Sequence, residues 1–393
     1  MLIEVPIDVW DSARGGAEGA VARVVRGFVR RGHRVRIVCL RAAASAEFGI
    51  EVLKIPAPRW PRWRRERSFA LSTSRRYASG TADVTLAVRH ALSADVYEPH
   101  GGPFRVAVRA SLDGVEPVWL RRVKFALRLL RPTTRYFLHL DRAVLDSRPI
   151  VVALSKMVED DFRRAYPGVE FDFARVYNGV DLEEFHDRDR MARSRELRER
   201  LRADPKDLVA LFVAHKFGPK GLADALDGLA LAPQTRLVVV GLGRAGPWIR
   251  RAARRGVAAR VWFAGFQRDT RSFYAGADAL LLPTRYDPCA LTTLEALACG
   301  VPPITTARNG AAELLTPGID GFVVPCGDAP AIARALSAIA LDRAGFQERC
   351  RERARSLSLE KHIDELEEVL QRACERRRGA AGAPESRLHA RRF

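Results

Sequence analysis

The stretch Tyr286-Asp-Pro-Cys-Ala-Leu-Thr-Thr-Leu-Glu-Ala-Leu-Ala-Cys-Gly300 decides how the chain is read. It follows an apolar run of strand character, Ala279–Leu282, and a helix is expected to start near Leu291. A strand therefore delivers a loop bearing one carboxylate, Asp287, and the following helix carries a second, Glu295, eight positions on. N–H groups at a helix start lack intrahelical acceptors, so those of Ala290, Leu291 and Thr292 suit a phosphate or diphosphate. A carboxylate can accept from two vicinal hydroxyls, which suits Glu295 to a ribose and Asp287 to a sugar ring. An acidic residue early in a helix also balances the macrodipole, and the pair alone does not separate the two readings.

Working outward, the motif lies in a series of alternating strands and helices that begins near residue 207. Strands are expected at 208–214, 235–240, 260–263, 279–282 and 302–305, with a helix at 221–230. An earlier series opens with a strand from Leu2 to Val9, a turn ending in Gly15-Gly16, and a helix bearing Val21, Val24, Val25, Phe28 and Val29 on one face. Gly32-His33 ends that helix and a strand follows at 34–40; further strands are expected at 51–55, 84–88, 96–99 and 150–154. Two such series predict an α/β protein of two doubly wound, Rossmann-like domains facing a cleft, with ligands at the carboxyl ends of the strands. Asn178-Gly179 marks a turn between them, giving domains 1–185 and 186–357. A last helix is expected at 358–375 and a polar, disordered tail at 376–393.

The central stretch resembles the E-x7-E region of retaining GT-B glycosyltransferases of family four, with Asp287 at the first acidic position and Leu294-Glu295-Ala296 through Cys299-Gly300-Val301-Pro302 matching closely. Upstream, His215-Lys-Phe-Gly-Pro-Lys220-Gly221-Leu222 resembles the G-R-L-x-x-x-K-G-x-D element, whose basic residues contact the donor diphosphate. Lys220 takes the lysine position; His215 stands where an arginine is usual, with Lys216 beside it. Asn178-Gly-Val-Asp181 with Phe185, Val240-Gly241, Val261 to Gly265, Asn309 to Glu313 and Gly321-Phe-Val-Val fall in the family's order, so the likeness spans roughly residues 10 to 330. The resemblance implies that the backbone at Gly265, Phe266 and Gln267 holds the base, Glu295 the ribose and Asp287 the donor sugar. It also implies transfer of a hexose with retention, without a divalent metal or other cofactor.

In the first half, Gly15-Gly16 is a bared turn open to a phosphate or sugar. Asp95-Val-Tyr-Glu-Pro-His100-Gly-Gly102 resembles the family's T-x-H-G element, which sets His100 against the transferred sugar; His33 and His90 lack such support and read as structural. The catalytic expectation is thus His100, Asp287 and Lys220. Gly241-Leu-Gly-Arg-Ala-Gly246 copies the dinucleotide fingerprint, but no acidic residue follows about 20 positions on, and it comes after the second strand of its domain.

Length and composition agree. The 393 residues suit two domains, 47% hydrophobic and 29% charged residues suit a globular protein, and no apolar run reaches the ~18 residues of a membrane span. The opening MLIEVPIDVW has no basic leader, and six cysteines without CxxC pairing read as reduced thiols, so a cytoplasmic setting is expected. The net charge of +19 comes almost wholly from arginine, as only seven of the 66 basic residues are lysine; local clusters are therefore more telling than the total. Residues 59–76 hold seven arginines with Trp60 and Trp63 between them. Residues 117–136 read as a helix with Trp119, Val123, Leu127 and Leu130 on one side and cations around the rest, which fits an anionic membrane face or a packed helix with solvated arginines. No nucleic-acid motif accompanies the charge. The reading is a UDP-sugar-dependent hexosyltransferase acting on a cell-envelope glycan or glycolipid at the inner membrane face, its likeness nearest to lipopolysaccharide-core heptose glucosyltransferases. The alternative is a non-catalytic GT-B relative serving as a peripheral membrane or scaffold protein.

Overall fold

The computed structural model describes residues 1–11, 16–43, 48–58, 60–112 and 118–381. Gly15, Arg59, Pro117 and the tail from 382 lie outside the described residues. In the first half, the elements are β1 (Leu2–Trp10), α1 (Ala17–Arg30), β2 (Arg34–Ala42), β3 (Ile50–Lys54), α2 (Arg62–Ala78), β4 (Val84–Ala87), β5 (Val96–Tyr97), α3 (Phe104–Ala110), α4 (Val118–Leu130), α5 (Pro132–Asp146), β6 (Ile150–Ala153), α6 (Lys156–Ala165) and β7 (Asp172–Arg175). The second half comprises α7 (Arg190–Leu201), β8 (Leu208–Val213), α8 (Leu222–Ala230), β9 (Thr235–Val240), α9 (Gly246–Arg254), β10 (Val261–Gly265), α10 (Arg271–Gly276), β11 (Ala279–Leu282), α11 (Leu291–Ala298), β12 (Pro303–Thr305), β13 (Phe322–Val323), α12 (Ala329–Leu341), α13 (Arg343–Arg355) and α14 (Leu359–Ala381).

Each half is one parallel sheet, ordered β3-β2-β1-β4-β5-β6-β7 and β10-β9-β8-β11-β12-β13. Strands covered on both faces by helices read as near-continuous apolar runs, and β4, β6 and β11 are buried at every residue, with Thr85 the one polar side chain among them. Both sheets reverse direction at their first strand, between β1 and β4 and between β8 and β11. Ligand crevices open at such switch points, beyond the carboxyl ends of the strands.

Helix α14 returns to the first domain. Ile363, Leu366 and Leu370 are fully buried in the same core as Val5, Val25 and Phe28, and Gly27 of α1 is bare because any side chain would strike Ile363. Arg31 pairs with Asp364 at 2.6 Å and His33 with Glu367 at 2.9 Å, which gives His33 its structural place. His90 lies 3.1 Å from the buried Asp141 and is likewise structural.

Two expectations need correction. The single helix read over 117–136 is two, because Pro132 cannot donate to the preceding turn; Arg131 is extended and α5 starts at the proline. The tail expected from 376 begins as the end of α14, where Arg377 donates to Asp95 at 3.0 Å and to the Tyr77 carbonyl at 3.0 Å.

Candidate functional site

The turn between β8 and α8 carries Lys220, and its shape is set by what lies beneath it. Gly221 has φ 83° and sits so close to the end of β11 that any side chain would run into the Pro283 carbonyl. Arg285 N–H donates to the Pro219 carbonyl at 2.8 Å, and the Thr284 hydroxyl donates to the same oxygen at 3.2 Å. The turn is thereby fastened to the loop after β11. The Lys220 ammonium pairs with the Asp287 carboxylate carried by that loop. His215 and Lys216 are exposed in the same turn.

Asp287 is held by the backbone on both sides. Its N–H donates to Arg308 at 2.9 Å, and its carbonyl accepts from Gly310 at 2.8 Å. Between those two residues lies Asn309, fully buried and fully used. Its side-chain oxygen accepts from the N–H groups of Ala290 and Ala311 at 3.1 Å each, and its amide donates to Thr293 and Thr305 at 3.0 Å each. The Ala290 N–H expected to face an anion is therefore committed to Asn309, a correction to the sequence reading. At the mouth of α11, the N–H groups of Leu291 and Thr292 have no acceptor among the described residues.

Glu295 stands on the second turn of α11, too far along to be a macrodipole residue. Its carboxylate accepts from the Tyr274 hydroxyl at 2.7 Å. Burial pushes the carboxyl above its ordinary range, partly offset by that hydrogen bond and by Arg23 of α1 across the cleft. Gly265 (φ 71°) ends β10, and the exposed Phe266 and Gln267, whose amide donates to the Ala264 carbonyl at 2.8 Å, follow it. Among the described residues no hydrogen bond joins them to Lys220, Asp287 or Glu295.

The first domain faces this wall with two loops. Gly16 (φ 78°) precedes α1, and a methyl at that position would lie 3.9 Å from His215 Nε2, so the glycine turn and the β8–α8 turn meet across the cleft. His100 follows β5, with its Nε2 3.3 Å from the Glu98 carboxylate. At Gly102 (φ 66°) a side chain would run into the hydroxyl of Tyr286, whose ring carries the Arg308 guanidinium 5.4 Å from its centroid. The histidine loop thus abuts the residue just before Asp287.

Below the cleft the two domains are clasped. Glu313 accepts from Lys156 and Met157 N–H at 2.8 Å each and from the Tyr177 hydroxyl at 2.7 Å, capping α6 from the opposite domain. Ser155 donates to the Pro288 carbonyl at 2.8 Å and Asn178 to that of Cys289 at 2.7 Å. Sequence reasoning missed the roles of Glu98, Tyr274, Tyr286 and Glu313: the last three meet partners on other elements, and Glu98 meets His100 only through the turn between them. The available signal was Glu98 two residues before His100, at a Pro-His-Gly-Gly turn that folds the pair together. The dinucleotide-like glycines serve packing: a side chain at Gly241 would strike the Ala214 carbonyl, and one at Gly243 the ring of Phe217. Among the described residues, no group of three or more His, Cys, Asp or Glu could hold a metal, and no helix is long and apolar enough to cross a membrane.

Residues 193–357 match the glycosyl transferases group 1 family and residues 14–184 match glycosyltransferase family 4. Lipopolysaccharide core biosynthesis glycosyltransferase LpsE of Rhizobium meliloti (strain 1021) is 33% identical over 124 residues, covering 31% of this chain and 36% of that protein. Alpha-D-kanosaminyltransferase of Streptomyces kanamyceticus is 31% identical over 189 residues, covering 46% and 48%. These matches span less than half the length of either relative. Among solved structures, WaaG, a glycosyltransferase involved in lipopolysaccharide biosynthesis, superposes with a TM-score of 0.77 at 21% identity over 94% of this chain and 99% of that one. Anabaena Alr3699/HepE in complex with UDP and glucose gives 0.69 at 18% identity over 95% and 100%. Both share the fold of two parallel-sheet domains.

Proposed function

We propose that this chain, a GT-B glycosyltransferase by the family models that match its two halves, moves a hexose from a UDP-sugar to a hydroxyl of a cell-envelope glycan or glycolipid. The observation that carries this reading is the pairing of Lys220 with Asp287 at the mouth of α11, beside the uncommitted N–H groups of Leu291 and Thr292. Departure of a nucleoside diphosphate builds negative charge, and a cation plus oriented amides in a half-buried cleft stabilise it without reorganisation. Lys220 is kept in place by Asp287 until a donor arrives. The diphosphate then gives the ammonium a second anionic partner, and the Asp287 carboxylate is free to accept from the hydroxyls of the sugar. Glu295, on the same helix, accepts from the ribose; the loop 265–267 takes the base. His100 faces the sugar from the first domain, and Gly16 lets backbone approach it.

Because these groups supply the positive charge, the proposed transfer needs no divalent ion, and retention at the anomeric carbon is what the resemblance to the family-four enzymes implies. The UDP-bound neighbour of the same fold supports UDP as the nucleotide. The names of LpsE and WaaG support an envelope acceptor. Helix α4 supports delivery of that acceptor from a bilayer: Trp119, Val123, Leu127 and Leu130 are 65, 46, 58 and 70% exposed along one stripe, amid Arg121, Arg122, Lys124, Arg128 and Arg131. Aromatic and apolar side chains at headgroup depth with cations beside them suit the anionic inner leaflet.

The test is release of UDP from UDP-sugars, with and without a glycolipid acceptor, for the wild type and Lys220→Ala, repeated in EDTA. Turnover in the wild type, its loss in the variant and indifference to the chelator are expected. Turnover in neither protein would instead favour a non-catalytic scaffold, and a chelator-sensitive wild type would overturn the metal-free route.

A further inference from the structure

Behind His100 lies a carboxylate that the transfer chemistry above does not use. Glu98 directly follows β5, its N–H donates to the Ala87 carbonyl at 2.9 Å, and only 3% of it is exposed. Around it is a small cavity walled by Val5, Val21, Val25 and Leu86, an apolar setting in which an unpaired carboxylate is costly. Its Oε1 lies 3.3 Å from His100 Nε2, an ion-pair contact that stops short of a hydrogen bond, since that buried nitrogen has no hydrogen-bond partner among the described residues. Pro99 fixes the backbone between them, and its carbonyl accepts from the Gly102 N–H at 2.8 Å, so a tight turn sets the imidazole beside the carboxylate. Two other titratable groups face the pair. His362 of α14, with Nδ1 2.8 Å from the Tyr177 carbonyl, stands on the Glu98 side, and Glu18 of α1 stands on the His100 side.

We propose that Glu98 is a positioning residue that holds His100 as an imidazolium with Nε2 turned inward, leaving Nδ1–H as a permanent donor toward the cleft. A neutral imidazole could offer either a donor or an acceptor there; the paired one offers only a donor. The charges favour this state. Burial pushes the His100 imidazole down, but Glu98, seconded by Glu18, outweighs it and leaves the imidazole above the ordinary histidine range. Burial likewise pushes Glu98 up, and His100 with His362 more than reverses that, so the carboxylate lies below its ordinary range.

The turnover arm of the test rests on the glycosyltransferase reading; the spectroscopic arm does not. In the full chain labelled with ring-carbon-13 histidine, the signal missing from His100→Gln identifies residue 100, and its titration is followed by NMR. The wild-type imidazole is expected to titrate above ~6.5, and in Glu98→Gln about one unit lower or more. A wild-type midpoint at or below ~6.5 overturns the proposal, as does a midpoint that Glu98→Gln leaves in place. In turnover, the alkaline limb of the pH profile should move down by the same interval in Glu98→Gln, so that rates above both midpoints fall about tenfold per unit. The limb should vanish in His100→Gln. A limb that persists there belongs to another group and overturns the link between the pair and transfer. If Glu98→Gln does not fold, the wild-type titration alone decides.

Discussion

The two walls of the cleft are built by different means. On the C-terminal wall the charged groups sit on short turns whose shape is dictated by backbone contact: Gly221 against Pro283, Asp287 laddered to Arg308 and Gly310, Asn309 wired to four partners. On the N-terminal wall His100 lies 3.3 Å from the Glu98 carboxylate, and helix α4 of the same domain turns an apolar stripe to solvent. A leaving diphosphate is the same for every donor of its class, so a rigid cradle serves it. An acceptor on a membrane surface would demand exposed surface instead, and helix α4 presents Trp119, Val123, Leu127 and Leu130 in that way.

The contrast is broken most directly at Lys220. Lys220→Ala should lower kcat for sugar transfer about 10²- to 10³-fold, as removal of one preorganised donor of a developing anion does. The acceptor KM should hardly change, because the acceptor belongs to the other wall. A comparable rise in acceptor KM would mean that the walls do not divide the labour. Next in size is Gly221→Ala, which combines a left-handed backbone with a collision against the Pro283 carbonyl. It should cost about 1–3 kcal/mol in urea unfolding and also lower kcat, because the strained turn carries Lys220. A turn that tolerates alanine at this position would show neither effect.

Much of the C-terminal wall was legible in the sequence because its signals are local. Continuous apolar runs with turn residues at both ends gave β9 and β11 to the residue, and Lys220-Gly221 and the Asp287–Glu295 spacing are short motifs. Elements without a local signal escaped. β7 is Asp-Phe-Ala-Arg at a sheet edge with both ends exposed, and β13 is only two residues, Phe322–Val323. Pro132 was in plain view, yet the amphipathic pattern running through it masked the break between α4 and α5. Glu313 reads as one acid among many until the fold brings the start of α6 to it, and Glu98 reads as a strand-end acid until its burial is known. Long-range pairing leaves no periodicity behind.

The N-terminal surface gives a third, smaller effect. Replacing Trp119 and Leu127 by Ser should leave the thermal midpoint and the turnover of a water-soluble acceptor unchanged, since both side chains are mainly in water. Binding to vesicles containing anionic lipid should fall, and binding should weaken with added salt at about 1 kcal/mol for each cation near the surface. Loss of thermal stability in this variant would show that the stripe packs on something, and equal binding to neutral vesicles would remove the electrostatic part of the argument.

The smallest expected effect sharpens the comparison within the C-terminal wall itself, because it separates binding from folding at one atom pair. Burial holds the Glu295 carboxyl above its ordinary range, so the native state prefers the protonated form. Any stability from that preference is present below the unfolded pKa and is lost as the pH rises through the folded one. The ionised carboxylate is therefore a burden on folding, which the Tyr274 hydroxyl and Arg23 offset in part and a bound ligand would offset further. Glu295→Gln retains an acceptor for the Tyr274 hydroxyl, so its urea midpoint at pH 7 should not fall below that of the wild type. UDP affinity should drop about tenfold, the loss expected when charge-assisted hydrogen bonds become neutral ones. In the wild type that affinity should also decline on acidification from a pH above ~4.3, a dependence that Glu295→Gln should flatten, as isothermal titration at several pH values would read. A variant that loses stability and binding together would mean that Glu295 braces the wall rather than receiving the ribose.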